Sequence, residues 1–169
     1  MSRYSLILLD RDGVINQSPI EGDYVLREQE LIVFGNVITA ISNVSKMKNV
    51  ACITNQQCIG KGLLSSSELE IIHSKIANKV LSAGGNRIHF YVCPHTINDG
   101  CNCRKPKPGL ILQSMSDFKV DREEICFIGD RDTDRMAANA AGIDFFLTSS
   151  DLDTVAILNE IGRSEHAIK

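Results

Sequence analysis

Five short, continuously apolar runs punctuate the chain: YSLILLD (4–10), VACITN (50–55), IHFYVC (88–93), ICFIGD (125–130) and IDFFLT (143–148). Each is bounded by Gly, Asn or Asp and reads as a strand. Unbroken rather than alternating hydrophobicity predicts parallel strands covered on both faces. Between the runs lie segments of helical period. Residues 36–48 place apolar side chains at 37, 38, 41, 44 and 47, one stripe of a helix. Residues 65–85 open with a capping box, Ser65 with Glu68 or Ser67 with Glu70, and close on a Gly pair. A third helix starts with Pro108 in its first turn, and residues 133–142 and 151–162 supply two more. The β-α alternation predicts a doubly wound, Rossmann-like α/β fold with a central parallel sheet, helices on both faces and one domain over 1–169.

In such sheets ligands bind beyond the carboxyl ends of the strands, at the point where the strand order reverses. The polar segments that follow strands are DRDG (10–13), TNQQ (54–57), the stretch 93–109 and GDRDTD (129–134). The fold predicts that all four meet at one edge. A formal net charge of −3 offers no basic footprint for nucleic acid. No apolar run reaches the roughly 18 residues of a membrane span. Met-Ser-Arg-Tyr-Ser leads straight into the first strand, with no room for a signal peptide, so a cytoplasmic protein is expected. Six cysteines are then not a disulfide framework. Cys52 and Cys126 lie within apolar runs and read as core thiols.

The polar segments carry a specific chemistry. Asp10 and Asp12, at i and i+2 in extended backbone, point to the same side, and Gly13 lets the chain turn just after them. With Asp130 and Asp134 they form a set of hard oxygen donors suited to Mg²⁺. Arg11, Arg104, Lys105, Lys107 and Arg131 stand among them as cations for phosphate oxygens. Acids for a cation beside bases for an anion describe a phosphoryl-transfer site. Cys93-x-His95-x5-Cys101-x-Cys103 supplies three thiolates and one imidazole, a closed tetrahedral Zn²⁺ site whose role is structural. It would pin the loop that presents Arg104 and Lys105. Asp132 reads as first-turn helix charge, and His73 and His89 as packing or surface residues.

DRDGVIN, TNQ, RKPKPG and IGDRDTD, in that order, resemble the four motifs of the haloacid dehalogenase (HAD) superfamily of phosphohydrolases. The similarity is greatest to the D-glycero-D-manno-heptose 1,7-bisphosphate 7-phosphatases and the related histidinol-phosphate phosphatases. The resemblance implies Asp10 as the nucleophile of an aspartyl-phosphate, Asp12 as general acid and base, and Thr54 and Lys105 as catalytic partners. It implies substrate contacts from Arg11, Asn55, Gln56, Arg104 and Arg131. It also implies Mg²⁺ held by Asp10, the Asp12 carbonyl and Asp130, with Asp134 supporting. Arg131 stands where these phosphatases often carry lysine, and Cys58 where a small residue is common. No large insertion separates the motifs, so no cap domain is expected and the substrate is a small phosphorylated metabolite. The basic rim favours a second phosphate, hence a sugar bisphosphate, over the cationic histidinol phosphate. Two non-enzyme readings remain, a receiver-type phospho-accepting domain and a zinc-stabilised binding module. A monomer is the default expectation.

Overall fold

A computed structural model describes residues 3–20 and 23–163; the remaining parts of the 1–169 span, including Met1 and Ser2, lie outside the described residues. The strands are β1 (Leu6–Leu9), β2 (Asn49–Asn55), β3 (His89–Cys93), β4 (Ile125–Gly129) and β5 (Asp144–Leu147). All their pairings are parallel, in the order β3-β2-β1-β4-β5. The helices are α1 (Gly35–Ser45), α2 (Ser66–Ser82), α3 (Gly109–Phe118), α4 (Asp132–Ala141) and α5 (Asp151–Gly162).

The period-2 alternation of the strands divides the core in two. Ile7, Leu9, Cys52, Cys126 and Ile128 pack with residues of α1, α2 and α5. Leu6, Leu8, Ala51, Ile53 and Phe127 pack with residues of α3 and α4. Central β1 and β4 are therefore buried throughout. At some 1.5–3 kcal/mol per fully buried large apolar side chain, these two layers dominate the stability. The edge strands differ from the expectation of full burial. β3 is mostly half-buried and β5 ends in an exposed Leu147, because each has a neighbour on one side only.

Among the alternatives for capping α2, the Ser65 hydroxyl accepts from the Glu68 N–H while Glu68 Oε2 accepts from the Ser65 N–H at 2.8 Å. Pro108 sits at the N-cap of α3, one position before the first turn. Among the described residues no helix is long and apolar enough to cross a membrane.

The sheet order places the reversal between β1 and β4. The crossovers α1 and α2 leave toward one face, whereas α3 and α4 lie on the other. Right-handed crossovers running in opposite directions require this arrangement. It opens a crevice beyond the C-terminal ends of β1 and β4, where Asp10 and Asp130 stand.

Candidate active site

The four polar segments do converge. A cavity of about 640 Å³ is lined by Asp10, Thr54, Arg104, Lys105, Arg131 and Asp134, among others. Asp10 extends β1, its N–H bonded to the Ile128 carbonyl of the neighbouring strand at 3.0 Å. Lys105, from the loop before α3, reaches back under the sheet edge. Its ammonium lies 2.7 Å from Asp10 Oδ1 and 2.6 Å from Asp134 Oδ1, and donates to the Ile53 carbonyl at 2.9 Å. Two of these contacts are hydrogen bonds, and the one to Asp134 is an ion pair. Burial opposes the charge on Lys105, but Asp10 and then Asp134 hold its pKa above the usual value. Burial raises the Asp10 carboxyl, and Asp134 adds to the rise against the pull of Lys105. Asp10 Oδ2 has no hydrogen-bond partner among the described residues.

Asp12 is treated differently. Its Oδ1 accepts from Asn16 Nδ2 at 2.9 Å and from Arg11 Nε at 3.2 Å. Arg11 Nη2 spans both oxygens at 2.9 Å, and Gln56 Nε2 reaches Oδ2 at 3.0 Å. Burial pushes this carboxyl up, but Arg11, Asn16 and Gln56 together bring it below the ordinary value.

Several residues expected to touch substrate have work inside the protein. Asn55 clamps the Lys105 backbone, accepting from its N–H and donating to its carbonyl, each at 3.1 Å. Gln56 donates to Thr54 Oγ1 at 2.8 Å as well as to Asp12. Arg11 is 1% exposed, its charge neutralised by Asp12. Arg104 and Arg131 line the cavity, Arg104 bonded to the His95 carbonyl and Arg131 extending into solvent 4.0 Å from Asp130. Lys107 donates to the carbonyls of Gly100 and Cys101, and so braces the cysteine loop. Two residues joined to this network had no functional reading from sequence, Asn16 and His73. His73 shares a helical face with Leu69, Ile72, Ile76 and Val80, all buried. A titratable residue in an apolar stripe was the available signal.

Asp10, Asp130 and Asp134 bring carboxylate oxygens within 4.8 Å of one another. Among the described residues the one cation buried against them is Lys105, which leaves excess negative charge. Asp130 Oδ1 is buried with no hydrogen-bond partner in the structure, and burial followed by Asp134 raises its pKa. Asp134 Oδ2 accepts from the Arg131 N–H at 3.2 Å, whereas Oδ1 is ion-paired with Lys105 but accepts no hydrogen bond. An orphaned oxygen between acids fits a hard divalent cation. Gly13 permits the crowding: it has φ +91°, and a Cβ there would run into the Asp130 carboxylate.

The second cluster is closed. Cys93 Sγ lies 3.6 Å from Cys101 Sγ and 3.3 Å from Cys103 Sγ, and the latter two are 3.4 Å apart. His95 Nδ1 is 3.7 Å from Cys93 Sγ and 3.1 Å from Cys103 Sγ. Tetrahedral Zn²⁺ with bonds of about 2.3 Å to sulfur and 2.0 Å to nitrogen needs edges of roughly 3.5–3.8 Å. A disulfide would bring sulfurs to about 2.05 Å. Two of the five distances reach those edges and three are shorter by a few tenths of an ångström, all far from disulfide length, so the donor set matches a zinc site drawn slightly tight.

The HAD-hydrolase-like family model matches residues 102–168. A D-glycero-beta-D-manno-heptose-1,7-bisphosphate 7-phosphatase of Pseudomonas aeruginosa is 41% identical, over 83% of this chain and 78% of its own. A probable D-glycero-D-manno-heptose-1,7-bisphosphate 7-phosphatase of Thermoplasma acidophilum is 33% identical, over 85% and 89%. The crystal structure of D,D-heptose 1,7-bisphosphate phosphatase from Bordetella bronchiseptica, complexed with magnesium and phosphate, superposes with TM-score 0.81 at 33% identity, covering 90% of this chain and 86% of that one.

Proposed function

This chain belongs to the HAD-like hydrolases, in the family of the heptose 1,7-bisphosphate 7-phosphatases, and from that premise we propose that it is a single-domain, Mg²⁺-dependent phosphatase that removes the 7-phosphate of D-glycero-D-manno-heptose 1,7-bisphosphate. The observation that carries this reading is the buried Asp10–Lys105–Asp134 triad beside an orphaned Asp130 oxygen.

Asp10, with Oδ2 unpartnered and Oδ1 on Lys105, attacks phosphorus and becomes an aspartyl-phosphate, which divides one hard displacement into two easier ones. Lys105 favours the ionised form of Asp10 against the effect of burial and offsets charge on the transferring group. Thr54 accepts from Gln56, which leaves its own O–H to donate to a phosphoryl oxygen. Asp12 gives a proton to the departing sugar oxygen, then removes one from the water that hydrolyses the intermediate. Its lowered pKa keeps it ionised and so able to accept a proton, and the negative charge of an arriving phosphate raises its proton affinity for the acid half. Arg104 and Arg131 on the cavity rim bind the second phosphate. Asn55 and Gln56 support the site by fixing Lys105, Asp12 and Thr54. Asp10, Asp130 and the Asp12 carbonyl, with Asp134 behind them, would hold Mg²⁺, which would supply charge neutralisation to the nucleophile and the transferring phosphoryl group. Cys93, His95, Cys101 and Cys103 would hold Zn²⁺, which would fix the loop that carries Arg104 and Lys105. Free thiols at Cys52, Cys58 and Cys126 support a reducing, cytoplasmic setting.

The test is phosphate release with Mg²⁺ from both anomers of heptose 1,7-bisphosphate, fructose 1,6-bisphosphate and histidinol phosphate. A heptose bisphosphate is expected to exceed the others by at least about a hundredfold in kcat/KM, near 3 kcal/mol of transition-state discrimination. Preference for histidinol phosphate would overturn the substrate while leaving the chemistry of Asp10 intact.

A further inference from the structure

Arg11 lies between the two aspartates in sequence, yet its guanidinium is buried. Nε and Nη2 form a fork on Asp12, and Nη1, at its other end, is 3.3 Å from His73 Nε2. Arginine can only donate. His73 Nε2 must therefore be the acceptor, in a neutral imidazole that carries its proton on Nδ1. The ring is only 6% exposed and lies flat on Phe90 of β3, with centroids 4.3 Å apart and planes at 10°. Burial and then the Arg11 charge hold His73 down at about 3, so it stays neutral near pH 7. A continuous line of contact runs from β3 through α2 to the acid: Phe90, His73, Arg11, Asp12.

We infer that His73 is a positioning residue for proton transfer, its neutral imidazole anchoring the far end of Arg11 so that the guanidinium fork sets the aim of the Asp12 carboxyl. Asn16 and Gln56 each hold one oxygen of Asp12 and the guanidinium spans both, but a guanidinium anchored at its carboxylate end alone can still pivot there. A third contact on the opposite nitrogen removes that freedom, and general acids depend on such geometry. This rests on the reading of Asp12 as general acid. In that step Asp10 bonds to phosphorus, the bond to the sugar oxygen breaks, and the oxygen takes its proton from Asp12. A sugar alkoxide needs that proton as it leaves; a nitrophenolate departs without it.

The leaving group therefore separates aim from mere stability. Wild type, Asp12→Asn, His73→Met and His73→Gln are compared by kcat/KM on heptose 1,7-bisphosphate and on 4-nitrophenyl phosphate, with thermal midpoints measured alongside. Asp12→Asn should lose about a hundredfold or more on the sugar and much less on the aryl ester. His73→Met, lacking a strong acceptor, should lose about tenfold on the sugar and under about twofold on the aryl ester. His73→Gln, which can offer Oε1 to Arg11, should stay within about threefold of wild type on both. Equal losses on the two substrates in His73→Met, or none, with Asp12→Asn still selective, would overturn the role of His73. An unselective Asp12→Asn would instead remove the reading of Asp12 itself. If His73→Met does not fold, Phe90→Leu, which takes away the ring beneath His73, replaces it and should show the same selective loss; an unselective loss, or none, would overturn the role of His73.

Discussion

The two clusters of side chains that could ligate a metal share one end of the sheet and are built on opposite plans. The cysteine loop presents four donors to one another at 3.1–3.7 Å and has no position left for a substrate. The carboxylate cluster is unfinished, with Asp130 Oδ1 orphaned, Asp10 Oδ2 unpartnered and three acids balanced by one buried lysine. A closed donor set supports a loop, whereas an incomplete one leaves room for a reaction. The loop joins the two, since Cys103 precedes Arg104 and Lys105 directly.

This contrast fails most visibly at Asp10. Asp10→Asn is nearly isosteric, and it should lower phosphate release by at least about a thousandfold while the fold persists by circular dichroism. Normal turnover would remove the nucleophile. Lys105→Met leaves Asp10 and Asp134 buried without their cation. Loss of one partner from such a pair should cost on the order of 3–5 kcal/mol in urea unfolding, with activity abolished. An unchanged midpoint would mean that the acids are compensated elsewhere.

Cys101→Ser sharpens the other half of the contrast. Zinc content should fall from about one ion per chain toward none and the thermal midpoint by several degrees, with residual activity retained. Full zinc occupancy would count against the ligand set. The smallest effect belongs to His73. Between its ordinary value of 6.5 and its folded value of about 3, the unfolded chain binds a proton that the folded chain refuses. Stability therefore falls as pH drops below about 6.5, by roughly 1.4 kcal/mol per unit at most. His73→Gln should flatten that part of the stability profile by about 2 kcal/mol between pH 7 and 5, read from urea midpoints. An identical profile would place the proton uptake elsewhere.

The central strands and the meeting of DRDG, TNQQ, RKPKPG and GDRDTD at one edge were legible from sequence, because apolar runs and right-handed crossovers leave few topologies. The cysteine cluster was legible from spacing alone. Exposure at β3 and β5 was not, since a run of apolar residues carries no record of which strand ends a sheet. Nor were the tasks of Asn55, Gln56 and Arg11. A motif brings a polar side chain to a site, and all three line the cavity, but the internal partners they also hold are set by distant parts of the chain. Arg11 meets His73 from 62 positions away, and Asn55 meets Lys105 from 50. Such pairings arise only when the sheet assembles.

The most direct test of the division between an open and a closed site is dialysis of the folded protein against EDTA, followed by metal analysis and assay. Phosphatase activity should vanish, return fully with Mg²⁺ alone, and leave about one zinc ion per chain bound throughout. Recovery that requires zinc, or activity undiminished after chelation, would contradict the assignment of the reaction to the carboxylate cluster.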